Sequence, residues 1–170
     1  MISEPAGEEQ LDFARKIALR FLEARPRSEH ELRVKLASRN VPEDVARELI
    51  TRFREVGLVD DEAFAEAVVQ TRVRVDRHGA SRIRSELRRR GVTDEVAAAA
   101  LTELDSDDEL AAAHAFASRR SRSLRGVPPQ VAQRRLYGAL GRRGFSTSVI
   151  ARVVADTLGE LAGDLDDGGS

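Results

Sequence analysis

Asp60, Asp61 and Glu62 are three consecutive acids, and adjacent carboxylates are half of what a divalent cation or an acid–base pair needs. Their neighbours explain them without chemistry. Gly57 suits the end of a helix, Asp60 suits an N-cap, and Asp61 and Glu62 place negative charge on the first turn that follows. Val59 and Phe64 then stand where a hydrophobic staple would clamp the turn. Gly57, Asp60, Asp61 and Phe64 therefore read as a structural motif that bends the chain sharply. His30, His78 and His114 are far apart, with no metal-ligand spacing between them. There are no cysteines, no glycine-rich phosphate loop and no nucleophile elbow. The residues thus imply no catalytic, cofactor-binding or metal site, and a binding protein rather than an enzyme.

The chemistry that is abundant is the guanidinium. Of 28 basic residues all but Lys16 and Lys35 are arginine, and they are unevenly placed within a net charge of −1. Between Leu110 and Ala155 there are nine arginines and no acid. Between Thr71 and Gly91 eight arginines face only Asp76 and Glu86. Acids gather instead from Asp94 to Glu109 and from Asp156 onward. Such segregation fits basic surfaces for a polyanion or for an acidic protein groove, as well as plain solvated helix faces. The candidate contacts are Arg72, Arg74, Arg77, Arg82, Arg84, Arg88 and Arg89, then Arg134, Arg135, Arg142 and Arg143. Arg84 and Arg88 share a helix face at i, i+4, and Arg134 and Arg135 stand beside Tyr137. Arg39, Arg90 and Arg143 fall at matching places, where charge compensation at a helix C-terminus, worth about 0.3–1 kcal/mol, is the competing reading.

Those arginines are positioned by a repeated apolar ladder. Leu32, Leu36, Val41, Val45 and Leu49 are spaced 4, 5, 4, 4. Ile83, Leu87, Val92, Val96 and Ala100 repeat the spacing, as do Leu136, Leu140, Phe145, Val149 and Val153. The long step in each copy passes Asn40, Gly91 or Gly144, residues that tolerate the left-handed conformation of a helix stop. Ser28 with Glu31 is a capping box, Thr93 and Ser146 suit N-caps, and Pro42 suits an early helical position. Helices are predicted over 12–24, 29–39 and 43–56, over 61–77, 80–90 and 94–104, and over 108–124, 129–143 and 147–161. The fold expected is all-α: three tandem three-helix repeats at 11–58, 59–106 and 107–162, forming an extended or curved array. Residues 1–10 and 163–170 are polar and acidic and are expected to be disordered.

Composition narrows the setting. No stretch approaches the roughly 20 apolar residues of a membrane span, and no signal pattern opens the chain, so a cytoplasmic protein is expected. Aromatics at 4% leave little for stacking single-stranded nucleic acid.

The segment Gly57 to Ala65, read with the basic stretch Arg77 to Val92, resembles the RecX family of recombinase regulators. That family carries a Gly-Leu-hydrophobic-Asp-Asp-x-x-Phe-Ala segment followed by a basic helix, and the resemblance extends over roughly residues 12 to 160. It implies a string of three-helix repeats; separately, a monomer without a cofactor is expected. It implies binding to the RecA–DNA filament, with limited filament growth or promoted disassembly, and so less ATP hydrolysis, strand exchange and coprotease activity. DNA repair, homologous recombination and the SOS response would be its setting. Scarce lysine and an acidic tail depart from a typical member and point to weak direct contact with single-stranded or duplex DNA. Two other readings stay open: a DNA-binding helical module that competes for the strand, and an adaptor for acidic partners unrelated to RecA.

Overall fold

The computed structural model describes residues 7–104 and 106–167, and among these the regular structure is entirely helical. The elements are α1 (Glu8–Ala24), α2 (Glu29–Ala37), α3 (Glu43–Glu55), α4 (Asp61–Arg74), α5 (Ala80–Arg89), α6 (Asp94–Thr102), α7 (Ser106–Ser121), α8 (Pro129–Arg142) and α9 (Thr147–Asp167), with a short 3-10 turn at Arg122–Leu124. No described helix is long and apolar enough to cross a membrane.

The ladder is the core. Of its residues only Val96 and Val149 are half-buried; every other one is buried. Its step of five has one cause in all three copies. Asn40, Gly91 and Gly144 adopt φ of 58°, 77° and 86°. The next amide then reaches back to the helix, Val41 to the Leu36 carbonyl at 3.1 Å, Val92 to Leu87 at 3.0 Å and Phe145 to Leu140 at 3.4 Å. That is the six-to-one closure of a Schellman motif, which also satisfies a carbonyl orphaned at the helix end.

Caps set the starts. Ser28 accepts the Glu31 N–H while Glu31 accepts the Ser28 N–H, both halves of the capping box. Asp60 accepts the Ala63 N–H, Thr93 the Val96 N–H and Ser146 the Val149 N–H. Pro42 occupies the N-cap position of α3 rather than its first turn, with an extended ψ of 145°. Helix α4 stops at Arg74, earlier than the periodicity predicts, because Arg77 turns left-handed at φ 54° and the His78 N–H bonds the Arg72 carbonyl.

Two helices outrun the ordered limits set by composition. Helix α1 begins at Glu8, where Glu8 and Glu9 face the positive end of the helix and Leu11 is already buried. Helix α9 continues to Asp167, well past 162. The remainder of both segments expected to be disordered, 1–6 and 168–170, lies outside the described residues.

The chain divides into two compact units, Met1–Glu66 with Leu87–Ala97, and Ala67–Glu86 with Ala98–Ser170. The first holds a continuous core of Leu11, Ala14 and Ala18 from α1, Leu32 and Leu36 from α2, and Val45, Leu49, Ile50 and Phe53 from α3, closed by Val59. In the second, α7 buries Ala112, Ala113 and Ala117, small residues that let α8 and α9 approach closely. Leu136 and Leu140 of α8, with Val153 and Val154 of α9, fill that core.

Candidate functional site

Asp60 and Asp61 both act as helix caps. Asp60 caps α4 through Ala63, and the Asp61 carboxylate accepts the Glu29 N–H at 2.8 Å, so it caps α2 as well. Burial, with Glu29 and Asp60 nearby, pushes the Asp61 pKa above the usual carboxylate range. Val59 and Phe64 are both buried, as a staple requires. Among the described residues no group of three or more His, Cys, Asp or Glu could hold a metal ion.

Two of the arginines read as partner contacts are engaged within the fold. Arg72 directs Nε and Nη2 at the two Glu86 oxygens, at 2.7 and 2.8 Å, and Nη1 at Asp76 at 2.6 Å. Glu86 above all, then Asp76, raises its pKa and fixes it as a cation. Arg143 lies 4.5 Å from the Phe116 ring centroid and donates to the Asp76 carbonyl, while its own carbonyl accepts the Gly79 N–H at 2.8 Å. A guanidinium so stacked and bonded is poorly placed to take a ligand as well.

The matching Arg90 does the same work. It lies 4.5 Å from the Phe64 ring centroid, pairs with Glu31 at 3.2 Å, and its carbonyl accepts the Ser28 hydroxyl at 2.6 Å. Burial pushes the Glu31 pKa up, but the Ser28 N–H and the Arg90 and Arg25 guanidiniums outweigh it and hold the carboxyl below its usual range. Arg90 and Arg143 are therefore inter-repeat joints, and charge compensation at a helix end describes them too weakly. The nearly equal spacing of Phe13, Phe64 and Phe116 against Arg39, Arg90 and Arg143 is the sequence signal that marks these pairs.

The remaining candidates separate by environment. Arg77 is half-buried in the left-handed turn before α5. Arg82 donates to the Arg142 carbonyl at 3.2 Å. Arg74 stands 3.7 Å from Asp108 and Arg88 3.0 Å from Asp94, exposed pairs that stabilise by no more than about 1 kcal/mol and are easily exchanged for another anion. Arg84 and Arg89 are exposed.

Three candidates do converge. Arg134, Arg135 and Arg142 of α8 line a groove of about 300 Å³ with Arg120, Ser123, Leu124 and Gly138. Positions 134, 138 and 142 fall on one helix face, and a Cβ on Gly138 would come within 3.2 Å of Arg142 Nη1, so the glycine lets that side chain lie along the helix. Among the described residues no acid stands within ion-pair distance of these four arginines. Arg120, from α7, carries no sequence signal of its own beyond lying in the acid-free stretch from Leu110 to Ala155. Four unpaired guanidiniums around a hydroxyl suit carboxylates and phosphates alike.

Family models for the first, second and third three-helix domains of RecX match residues 14–53, 60–101 and 107–154. The regulatory protein RecX of Streptomyces coelicolor is 38% identical over 155 residues, covering 89% of this chain and 80% of that one. Its counterpart in Thermobifida fusca is 39% identical over 153 residues, covering 90% and 83%. The crystal structure of RecX from Lactobacillus salivarius superimposes with a TM-score of 0.82 at 22% identity, covering 88% of this chain and 97% of that one, a likeness of fold.

Proposed function

Because the chain belongs to the RecX family, we propose that it binds the RecA–DNA filament and inhibits RecA by limiting filament extension or promoting disassembly. The supporting observation is the groove of Arg120, Arg134, Arg135 and Arg142, whose charge nothing in the described chain neutralises. Unpaired guanidiniums on a repeat surface are ready to take carboxylates of a protein partner at little desolvation cost. Exposed Arg74, Arg82 and Arg84, and separately Arg88 and Arg89, add further weak contacts. Several weak contacts carried on one chain raise the apparent affinity by orders of magnitude when a filament offers its partners at regular intervals. In this reading the protein works in the cytoplasm as a monomer, without cofactor or catalysis, and its direct contact with DNA is weak.

The test is a titration of RecA ATPase on single-stranded DNA, read together with images of filament length. Inhibition at substoichiometric ratios with shortened filaments is expected. An unchanged ATPase at an equimolar ratio would reject the reading.

The same groove favours one second reading, a helical module that competes for DNA, because its arginines equally fit phosphates. That reading predicts salt-steep binding to DNA alone, with close to one unit of slope for each phosphate neutralised. Inhibition that persists in excess DNA would eliminate it.

A further inference from the structure

Repeats two and three each receive the start of a helix on one face. In the first unit the receiving residues are Phe64, Arg90 and Gly91, and the received turn is Ser28 to Glu31. The Ser28 hydroxyl bonds the Arg90 carbonyl, Glu31 pairs with the Arg90 guanidinium over Phe64, and a Cβ on Gly91 would collide with His30. In the second unit the receiving residues are Phe116, Arg143 and Gly144, and the received turn is Gly79 to Arg82. The Gly79 N–H bonds the Arg143 carbonyl, the Ser81 N–H bonds the Gly144 carbonyl at 3.2 Å, and a Cβ on Gly144 would meet Arg82. A first-turn carboxylate completes each joint, Asp61 on the Glu29 N–H and Glu109 on the Ala80 N–H.

Repeat one carries the same receiving set in Phe13, Arg39 and left-handed Asn40. Here the face is open: Phe13 is 54% exposed, where Phe64 is 4% exposed. Phe13 and Arg39 line a groove of about 670 Å³ whose other charges are Lys16, Arg20 and Lys35 against Glu23 alone.

We propose that this face docks the acid-bearing first turn of an α-helix from a partner protein, a helix that opens Ser/Thr-x-x-Glu as α2 does. The partner's carboxylate takes the Arg39 guanidinium, its cap hydroxyl takes the Arg39 carbonyl, and its first apolar residues cover Phe13. The basic rim selects an acidic segment. A second copy of the chain is a poor occupant, because its own Ser-x-x-Glu openings are engaged within it: Glu31 of α2 pairs with Arg90, and Glu109 of α7, which opens Ser106 to Glu109, accepts the Ala80 N–H. The second helix of repeat three opens Pro128-Pro129, which have no N–H to donate, and its first turn carries no acid. This docking is independent of RecA binding through repeat three, since it uses a different repeat and a different surface.

The probe is a peptide of residues 26–39 of this chain, the segment that fills the equivalent face of repeat two, cross-linked on its solvent side to hold the helix. Titrated into the isotope-labelled full-length protein, it should shift amide signals of Phe13, Lys35, Arg39 and Asn40 saturably. Glu31→Arg in the peptide, or Arg39→Glu in the protein, should each weaken binding about tenfold or more, as loss of a charged hydrogen bond does. Combining the two reversals should restore part of it, which a misfolded variant could not do. The proposal is overturned if no saturable shifts occur, if Arg39→Glu leaves the affinity unchanged, or if the shifts centre on Gly91 because the peptide has displaced the internal joint.

Discussion

The Ser28 hydroxyl donates to the Arg90 carbonyl at 2.6 Å, joining residues 62 apart in sequence. The same oxygen accepts the Glu31 N–H at 3.2 Å, so one fully buried hydroxyl caps α2 and ties the end of α5 to it. Ser28→Ala removes the cap and orphans a carbonyl at the joint. We expect a loss of about 2–3 kcal/mol, the sum of a cap near 1 and an unsatisfied buried acceptor of 1–2. Urea unfolding with an unchanged m-value measures it. A loss below about 0.5 kcal/mol would mean that water replaces both bonds.

Gly91→Ala should be worse than its size suggests. The position needs φ of 77°, and any Cβ there runs into His30. Strain near 1 kcal/mol adds to a clash that moves α2, so a loss above about 2 kcal/mol is expected. Gly57, at φ 73° with open space around it, supplies the comparison, because Gly57→Ala carries the strain alone. Equal melting shifts for the two variants would show that the close approach of His30 has no energetic weight.

Asp61 separates acceptor from charge. Asp61→Asn keeps an oxygen for the Glu29 N–H and removes a carboxylate that burial makes costly to ionise. At neutral pH Asp61→Asn should melt at or above the parent temperature, whereas Asp61→Ala should lose about 1 kcal/mol or more. Equal losses in both variants would show that the negative charge itself holds the cap.

The helices and the ladder were legible in the sequence because each depends on neighbours a few residues away. Apolar spacing fixed the core, and Asn40, Gly91 and Gly144 announced left-handed stops that the backbone adopts. The arginines were legible only as charge. Arg143 and Arg134 look alike in sequence, yet one is stacked on Phe116 and bonded to Asp76, while the other lines an open groove. That difference arises from partners 27 to 67 residues away, which local pattern does not encode. The spacing that recurs in three Phe–Arg pairs was the available clue. Arg72 shows the same limit: Asp76 was visible one turn on, but its bidentate partner Glu86 lies on the next helix.

Reversal of groove charge should affect binding and leave stability alone. Arg134 and Arg135 are exposed and have no acid within ion-pair distance among the described residues, so Arg134→Glu with Arg135→Glu should move the melting temperature little. Inhibition of RecA ATPase should need at least about tenfold more of this double variant, because each charge-assisted hydrogen bond removed weakens binding by about 1.5–3 kcal/mol. Full inhibition at the parent concentration would move the contact away from repeat three.

His78 should make stability depend on pH. Its ring is half-buried, and burial first, then Arg82 and Arg143, lower its pKa below the ordinary value; Asp76 opposes and Arg72 adds to the effect. With the folded pKa below the unfolded value near 6.5, the unfolded chain binds the proton more tightly. The contribution is therefore complete above about pH 6.5 and is lost as pH falls through that value to the folded pKa. Melting temperature should fall between about pH 7 and pH 5.5, and His78→Gln should make that slope shallower. An identical slope in the variant would show that His78 takes up its proton without disturbing Arg82 and Arg143.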